Sequence, residues 1–291
     1  MTNSRGQPTP EFPSKGIVMF AYNSDYDYVK IANVSAALAQ KWTGLPVTLI
    51  TDEFGALQAG SHFDNIIIQP SNGSNKRRTR TTHDGPAIVI DWKNLNRASV
   101  YDLSPYEQTI LIDCDYLTFS DTLYELTWTN VEFTCHKEVY DITGQNCFYS
   151  DKRLSQYSIP MLWATVIYFT KCSFSKSVFD MMKLVQENYE YYAKVYGFRA
   201  SPFRNDYALS IAYHAMSGYG LDELIPYKLN TLSPMTDVID FRGFETGQLL
   251  YQYMNKGKLH TGMSEKVNLH VMNKAIFTDD IIRKMTHYAQ G

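Results

Sequence analysis

The sequence TILIDCD, residues 109–115, joins an apolar strand to two aspartates that lie one residue apart. In an open parallel sheet, ligands bind beyond the carboxyl ends of the strands. Two carboxylates at such an end, Asp113 and Asp115, can together hold a hard divalent cation and the phosphates bound to it. The stretch therefore predicts a metal centre at the edge of a sheet, with a solvated turn as the alternative.

The chain before this strand alternates between strand and helix patterns. A continuous apolar run over residues 16–22 is typical of a buried parallel strand. A helix follows and ends at Gly44, and further strands are expected at 47–52 and 65–68. Residues 71–85 indicate a loop, and residues 91–103 a helix that leads into the central strand. This order predicts an α/β domain with a mixed, mainly parallel sheet flanked by helices.

The second half of the chain gives weaker patterns. A strand is expected at 161–169, and apolar residues at helical spacing from 178 to 192 predict a core-facing helix that ends before Gly197. Asn205 or Asp206 is expected to cap a further helix that runs to Met216.

Beyond Gly218 the chain is expected to be irregular until a basic helix over 280–288. The predicted organisation is a flexible arm over 1–15 and one domain over 16–291. That domain divides into a first half, residues 16–130, and a second half, residues 131–291, which includes the C-terminal helix.

Composition restricts the functional class. The formal net charge is −3, yet residues 71–100 and 251–291 carry an excess of basic side chains, which suggests an anionic ligand. The four cysteines form no CxxC pair, and this favours a reduced, cytoplasmic compartment. No signal-peptide pattern is visible near the N-terminus, and the longest apolar stretch is too short to span a bilayer. A soluble, intracellular protein without a membrane partner is expected.

A basic residue, two tyrosines and a leucine precede the aspartates at fixed intervals, namely Arg97, Tyr101, Leu103 and Tyr106. With Asp113 and Asp115, this pattern resembles the retaining glycosyltransferases related to glycogenin. The resemblance covers residues 16–120 and implies a GT-A fold. It also implies a Mn²⁺ or Mg²⁺ cofactor and a nucleotide-diphospho-sugar donor, most often linked to UDP. Residues 16–130 would then bind the donor, and residues 131–291 would bind the acceptor.

The resemblance also implies roles for residues in the first strand. Ala21, Tyr22 and Asn23 fall where such enzymes hold the nucleotide base and ribose. Arg97 is permanently cationic and can grip phosphate or sugar hydroxyls in a fixed geometry, although a surface helix charge would look the same. Tyr22 could stack on a pyrimidine ring or serve as a core aromatic.

Three further candidates lie in the second half. In the related enzymes a late histidine is the third metal ligand and a following lysine binds the diphosphate, and His270 and Lys274 match them only in part. Their spacing is four residues rather than six, and the following proline and tryptophan are missing. Asp206 is a candidate for holding the donor sugar or for acting as a base. A base would imply inversion at the anomeric carbon, so the stereochemical outcome is open.

The acceptor is the least defined part of the prediction. The hydroxyl-rich segment 74–83 contains four basic residues, Lys76, Arg77, Arg78 and Arg80. Such residues can neutralise backbone phosphates. The segment is similar in style to bacteriophage glycosyltransferases that modify hydroxymethylated bases in double-stranded DNA, which would place the protein in a host cytoplasm. It could equally close over the donor diphosphate. The alternatives are a transferase acting on a glycan, lipid-linked sugar or protein, and a non-catalytic nucleotide or nucleic-acid binding protein.

Overall fold

The computed structural model describes residues 14–80, 87–93, 95–144, 153–221, 224, 228–232, 237–242, 244, 248–265 and 267–291. The strands are β1 (Lys15–Phe20), β2 (Val47–Thr51), β3 (Asn65–Ile68), β4 (Asn75–Arg80), β5 (Ala87–Trp92), β6 (Gln108–Asp113), β7 (Tyr116–Leu117), β8 (Phe133–His136), β9 (Glu138–Asp141), β10 (Trp163–Thr170), β11 (Lys228–Leu232), β12 (Asp237–Arg242), β13 (Gln248–Asn255), β14 (Lys258–Glu265) and β15 (Leu269–Val271). The helices are α1 (Tyr28–Thr43), α2 (Glu53–Gln58), α3 (Val100–Leu103), α4 (Thr122–Leu126), α5 (Ser173–Glu187), α6 (Tyr189–Tyr196), α7 (Asn205–Met216) and α8 (Asp279–Gln290).

The core of the molecule is a six-stranded sheet in the order β3-β2-β1-β6-β10-β8. The first four strands are parallel, and β10 runs antiparallel to both β6 and β8. Apolar side chains of β6 alternate between the two faces, since Ile110 and Ile112 join one core cluster and Leu111 joins the other. The predicted mixed, mainly parallel sheet flanked by helices is confirmed.

The helix after β1 forms as predicted. The Asp27 side chain accepts from the Lys30 N–H at 2.9 Å and caps the start of α1, and Gly44 ends it with φ 64°. The single helix predicted over 178–192 is instead two helices, α5 and α6. They are separated at Asn188, whose side-chain amide donates back to Leu184 O at 3.0 Å. This bond competes with continuation of the helix.

The cap of α7 differs from the prediction. Arg204 is the N-cap residue and makes no side-chain capping bond, so neither Asn205 nor Asp206 serves as the cap. The carboxylate of Asp206 instead accepts from the Ala164 N–H at 2.9 Å, on β10. This bond ties the start of α7 to the sheet.

The loop predicted over 71–85 is wrong for residues 75–80, and the helix predicted over 91–103 is wrong for its first part. Asn75–Arg80 forms β4 and pairs antiparallel with β5, which continues to Trp92. Helical structure begins only at Arg97 as a short 3₁₀ turn. The basic strand forms because an apolar, β-branched partner strand pairs with it, and context of this kind overrides local preference. Residues 81–86 lie outside the described part of the chain.

The prediction of irregular structure beyond Gly218 is also wrong. Strands β12, β13 and β14 form an antiparallel sheet, while β7, β15, β11 and β9 form another. Lys256 and Gly257, with φ 49° and 72°, connect β13 to β14. A two-residue connection with both φ values positive is a hairpin turn that the sequence Asn-Lys-Gly could have indicated.

The close approach of Tyr106 to β1 gives a stability prediction. A Cβ added at Gly16 would come within 2.3 Å of the Tyr106 ring, which is buried and fixed by its hydroxyl at 2.8 Å from Thr48 Oγ1. We expect Gly16→Ala to lower the free energy of unfolding by about 1–3 kcal/mol, as measured by urea denaturation. Gly220→Ala is the control, because its Cβ would make only an ordinary contact with Ser217 O at 3.4 Å. Equal stabilities of the two variants would contradict the prediction.

Among the described residues, no helix combines the length and apolar character needed to cross a membrane. Cys114, Cys135 and Cys172 are unpaired, and Cys147 lies outside the described residues.

Candidate active site

A cleft of about 420 Å³ opens at the carboxyl ends of β1 and β6, where Phe20 pairs with Asp113. Its volume lies in the range of sites that hold small molecules. Six separate segments of the chain contribute to its walls. The lining residues are Phe20, Ala21, Tyr22, Tyr26, Tyr28, Ile90, Trp92, Lys93, Asn96, Arg97, Asp113, Cys114, Asp115, Trp163, Ala164, Thr165, Pro202, Arg204, Asn205, Asp206, His270, Met272, Asn273 and Lys274.

Three potential metal ligands face one another in this cleft. His270 Nε2 lies 3.7 Å from Asp113 Oδ2 and 3.3 Å from Asp115 Oδ1. Each residue offers one ligand atom, and all three atoms lie within 4.8 Å of one another. Octahedral ligands at ~2.1 Å from a cation are about 3 Å apart when adjacent and about 4.2 Å apart when opposite. The donor set and its spacing therefore fit one small divalent cation.

The remaining oxygens of the two carboxylates are held by basic residues. Arg97 donates to Asp113 Oδ1 at 2.5 Å, and the Lys274 ammonium contacts Asp115 Oδ2. Burial alone would raise the pKa of Asp115, but Lys274 and His270 hold it below that of an ordinary aspartate. Asp115 is therefore anionic at neutral pH, as a metal ligand must be.

Strand pairing brings His270 to the aspartates. β15 pairs antiparallel with β7, so that His270 lies opposite Tyr116, directly after the Asp-Cys-Asp stretch. Asn268 reinforces the pairing, because its side-chain oxygen accepts from the N–H groups of Phe119 and Ser120 at 2.9 and 3.1 Å. The four-residue spacing to Lys274 still brings its ammonium to Asp115 because a short 3₁₀ turn begins at Lys274.

Thr165 orients the histidine ring. Its hydroxyl lies 3.3 Å from His270 Nδ1, which leaves Nε2 facing the two aspartates. Ligating histidines are commonly fixed through their second ring nitrogen in this way. Nothing in the local sequence marks Thr165 as a site residue, because the contact depends on β10 lying beside β6.

Arg97 is almost completely buried, and its guanidinium is engaged by the protein. Besides Asp113, it donates to the carbonyl oxygens of Ala164 and Thr165 on β10. Only a small part of the side chain reaches the cleft. The geometry therefore favours a role in positioning Asp113 over the predicted grip on phosphate or sugar hydroxyls.

Asp206 lines the cleft as well, and its carboxylate is also engaged by the protein. Its carboxylate accepts from the Ala164 N–H at 2.9 Å and from Arg204 at 2.8 Å. Burial would raise the pKa of Asp206, but Arg204 and the Ala164 N–H lower it below the ordinary value. A carboxylate whose pKa is lowered is a weak base at neutral pH, so this arrangement argues against the predicted role of Asp206 as a general base.

The predicted nucleotide residues separate into two groups. Ala21 and Tyr22 line the cleft, and the Tyr22 hydroxyl accepts from the Asn96 amide at 3.2 Å, while burial raises the pKa of Tyr22 to about 12. Asn23 is not among the lining residues. Its side chain accepts from the Val29 N–H at 2.9 Å and donates to Gln58 at 2.6 Å, so it supports the start of α1.

The predicted DNA-binding residues belong to the β4–β5 hairpin. Lys76 is exposed and does not line the cleft, while the side chains of Arg77, Arg78 and Arg80 lie outside what the structure describes. The partner strand does reach the cleft, through Ile90 and Trp92, and Lys93 follows it.

The hairpin is tied to the loop after β1. Ser24 Oγ donates to Asp91 O at 2.8 Å, and the Asp91 N–H donates to Asp25 at 2.6 Å. Trp92 and Lys93 were not predicted as site residues, since their place in the cleft follows from this hairpin.

Comparisons with known proteins give only distant similarities. No protein-family model and no curated protein matches the sequence. The fold is similar to the galactosyltransferase LgtC in complex with donor and acceptor sugar analogues, with a TM-score of 0.48 and 12% identity over 94% of this chain and 95% of that chain. Mouse xyloside xylosyltransferase 1 gives 0.42 and 9% identity over 73% and 84%. The glycosyltransferase GlyE of Streptococcus pneumoniae TIGR4 gives 0.41 and 11% identity over 74% of this chain and only 45% of GlyE. All three TM-scores are below 0.5, so the functional assignment depends on the cleft itself.

Proposed function

We propose that this protein is a metal-dependent glycosyltransferase of the GT-A type that moves a sugar from a nucleotide-diphospho-sugar, UDP-linked by preference, to a hydroxyl acceptor. One observation carries the proposal. Asp113, Asp115 and His270 direct three ligand atoms at one point in a cleft that also contains Lys274 and an aromatic wall. A cleft of this kind suits a ligand with a charged diphosphate at its centre and a flat base at one end.

Each side chain has a distinct part in this function. Asp113 Oδ2, Asp115 Oδ1 and His270 Nε2 would hold Mn²⁺ or Mg²⁺. When bound, the cation neutralises the charge that develops on the departing diphosphate. Lys274 lies against Asp115 and supplies a further positive charge for the diphosphate. Arg97 fixes Asp113, and Asp206 is placed by Arg204 to accept hydrogen bonds from sugar hydroxyls.

The aromatic side of the cleft would receive the nucleoside. Trp92 is half-buried and presents a flat apolar surface on which a base can stack, whereas Tyr22 is buried and only a small part of it reaches the cleft. The Tyr22 ring is held by its bond with Asn96, whose side chain also donates to Pro70 O at 2.7 Å. A pre-positioned ring reduces the entropy that is lost when the base binds.

A screen of nucleotide sugars tests the proposal without knowledge of the acceptor. Purified protein is incubated with UDP-, GDP-, dTDP- and ADP-linked sugars in the presence of Mn²⁺, Mg²⁺ or EDTA, and release of the nucleoside diphosphate is measured. We expect slow hydrolysis of at least one donor that requires the metal and stops with EDTA. Metal-dependent binding of a donor without any turnover would instead support the non-catalytic binding protein.

The DNA acceptor remains a prediction. Among the four basic residues on which it rests, only Lys76 has a described side chain, and it lies outside the cleft lining. Transfer of a labelled sugar to duplex DNA containing hydroxymethylated pyrimidines, compared with unmodified DNA, tests it directly.

A further inference from the structure

A second groove lies at the other end of α7. It has a volume of about 530 Å³ and shares no lining residue with the candidate active site. The side chains that line it include Arg153, Tyr157, Ser158, Lys194, His214 and Tyr219. Asp206 is in the catalytic cleft and His214 in the groove, and eight residues of α-helix separate them by about 12 Å.

Tyr219 forms a fixed, exposed aromatic surface in this groove. Its φ of 68° lies in the left-handed region, which is unusual for a bulky side chain and persists only when the surroundings impose it. The ring stacks on His214 with a centroid distance of 6.0 Å, and its hydroxyl is hydrogen-bonded to Tyr196. Even so, Tyr219 remains 61% exposed and Tyr157 91% exposed.

Two of the residues that line the groove, His214 and Ser158, also carry buried polar atoms that lack partners among the described residues. His214 is 2% exposed, and its Nε2 lies 3.2 Å from Pro160 O, which can only accept, so Nε2 carries the proton. Burial lowers the pKa of His214, so the ring is neutral and Nδ1 is an acceptor. Nδ1 and Ser158 Oγ are both buried without a partner in the described part of the chain. Such atoms are costly unless something bonds to them.

Sugar rings match this combination of surfaces. A pyranose presents an apolar face of C–H groups, which packs on an aromatic ring, and a rim of hydroxyls that both donate and accept hydrogen bonds. We propose that this groove, defined by Tyr157, Tyr219 and His214, is a carbohydrate-binding site for the part of a sugar-chain acceptor that is remote from the reacting hydroxyl. The inference rests on the proposed function, because the end of the same chain would enter the catalytic cleft.

Charge favours a sugar chain over nucleic acid. The groove offers two basic side chains, and one of them, Arg153, is engaged with Ser158 O at 2.7 Å. Binding to a phosphate backbone requires several free cations, and the whole protein carries a formal net charge of −3.

Binding of defined oligosaccharides tests the proposal. The probes are maltohexaose, cellohexaose, chitohexaose, a heparin octasaccharide and a duplex DNA oligonucleotide, and binding is measured by saturation-transfer NMR and calorimetry. We expect at least one oligosaccharide to bind. We also expect Tyr219→Ala and Tyr157→Ala each to weaken its binding about tenfold, which corresponds to the loss of one stacking contact. Tyr219→Gly serves as a second variant at that site, because glycine adopts this φ without strain and the fold is retained.

Tyr191→Ala is the matched control, since Tyr191 is a similarly exposed tyrosine on α6 that does not line the groove. Metal-dependent donor hydrolysis is measured on the same proteins and should be unchanged in all of them. If hydrolysis is missing while oligosaccharides bind at the groove, the proposed function fails and the carbohydrate site stands. The inference is wrong if no oligosaccharide binds or if the groove variants bind oligosaccharides as the wild type does. It is also wrong if only binding of the DNA duplex is weakened by the tyrosine substitutions.

Discussion

Asp115→Asn is expected to reduce metal-dependent donor hydrolysis by about a thousandfold, which is the loss of roughly 4 kcal/mol of transition-state stabilisation. The substitution keeps the size of the side chain but replaces an anionic ligand atom 3.3 Å from His270 Nε2 with a neutral one. A divalent cation would then be held by one carboxylate and an imidazole, too little charge to compete with water. Binding of Mn²⁺, measured by calorimetry, should fall in parallel with activity.

Asp102→Asn is the matched control for this prediction. Asp102 is exposed on α3 and pairs with Lys183, at a distance of 2.6 Å, on the outside of the molecule. Its substitution should leave hydrolysis and Mn²⁺ binding unchanged, because exposed ion pairs contribute little. The proposed metal centre would be contradicted if the Asp115→Asn protein folds normally and retains full metal-dependent activity.

Arg97→Ala is expected to impair both stability and activity. The guanidinium bridges Asp113 and two carbonyl oxygens of β10, so its removal leaves a partly buried carboxylate and buried acceptors without donors. We expect the free energy of unfolding to fall by about 3 kcal/mol, the lower end of the range for a broken buried pair, because Asp113 is partly exposed. Donor hydrolysis should fall as well, since Asp113 loses its fixed orientation.

Two further substitutions test whether the loss of stability comes from the geometry of the guanidinium and from its burial. Arg97→Lys should not restore stability or activity, because one ammonium cannot reach a carboxylate and two carbonyl oxygens at once as the planar guanidinium does. Arg283→Ala should change stability by less than about 0.5 kcal/mol, since Arg283 is 78% exposed in its pair with Asp280. Equal unfolding curves for Arg97→Ala and Arg283→Ala would show that Arg97 does not hold the site together.

Local patterns were sufficient for the part of the fold that carries the aspartates. β1 and β6 can be predicted from continuous apolar runs, because both faces of a central parallel strand are buried. The position of Asp113 at a strand end follows from the same run. The residues between Arg97 and the aspartates serve the core, since Tyr106 is buried on β1 and Tyr101 packs on Phe169 and Phe179.

The rest of the candidate site depends on contacts that no local pattern contains. His270 reaches Asp115 only because β15 pairs with β7, and Thr165 orients it only because β10 is antiparallel to β6. The sequence alone suggests that Arg97 is free to bind phosphate. In the structure its guanidinium donates to two carbonyl oxygens of β10 instead. The β4–β5 hairpin was missed because its basic strand has the composition of a loop, and its pairing partner decides its conformation.

The pairing of β7 with β15 also has a consequence for biosynthesis. A chain leaves the ribosome from its N-terminus, so the central strands and both aspartates can be folded before residues 268–274 exist. Until those residues arrive, Asp115 lacks the ammonium of Lys274 and the imidazole of His270. The candidate metal site therefore forms in two stages, and the second stage requires residues 268–274 to have been synthesised.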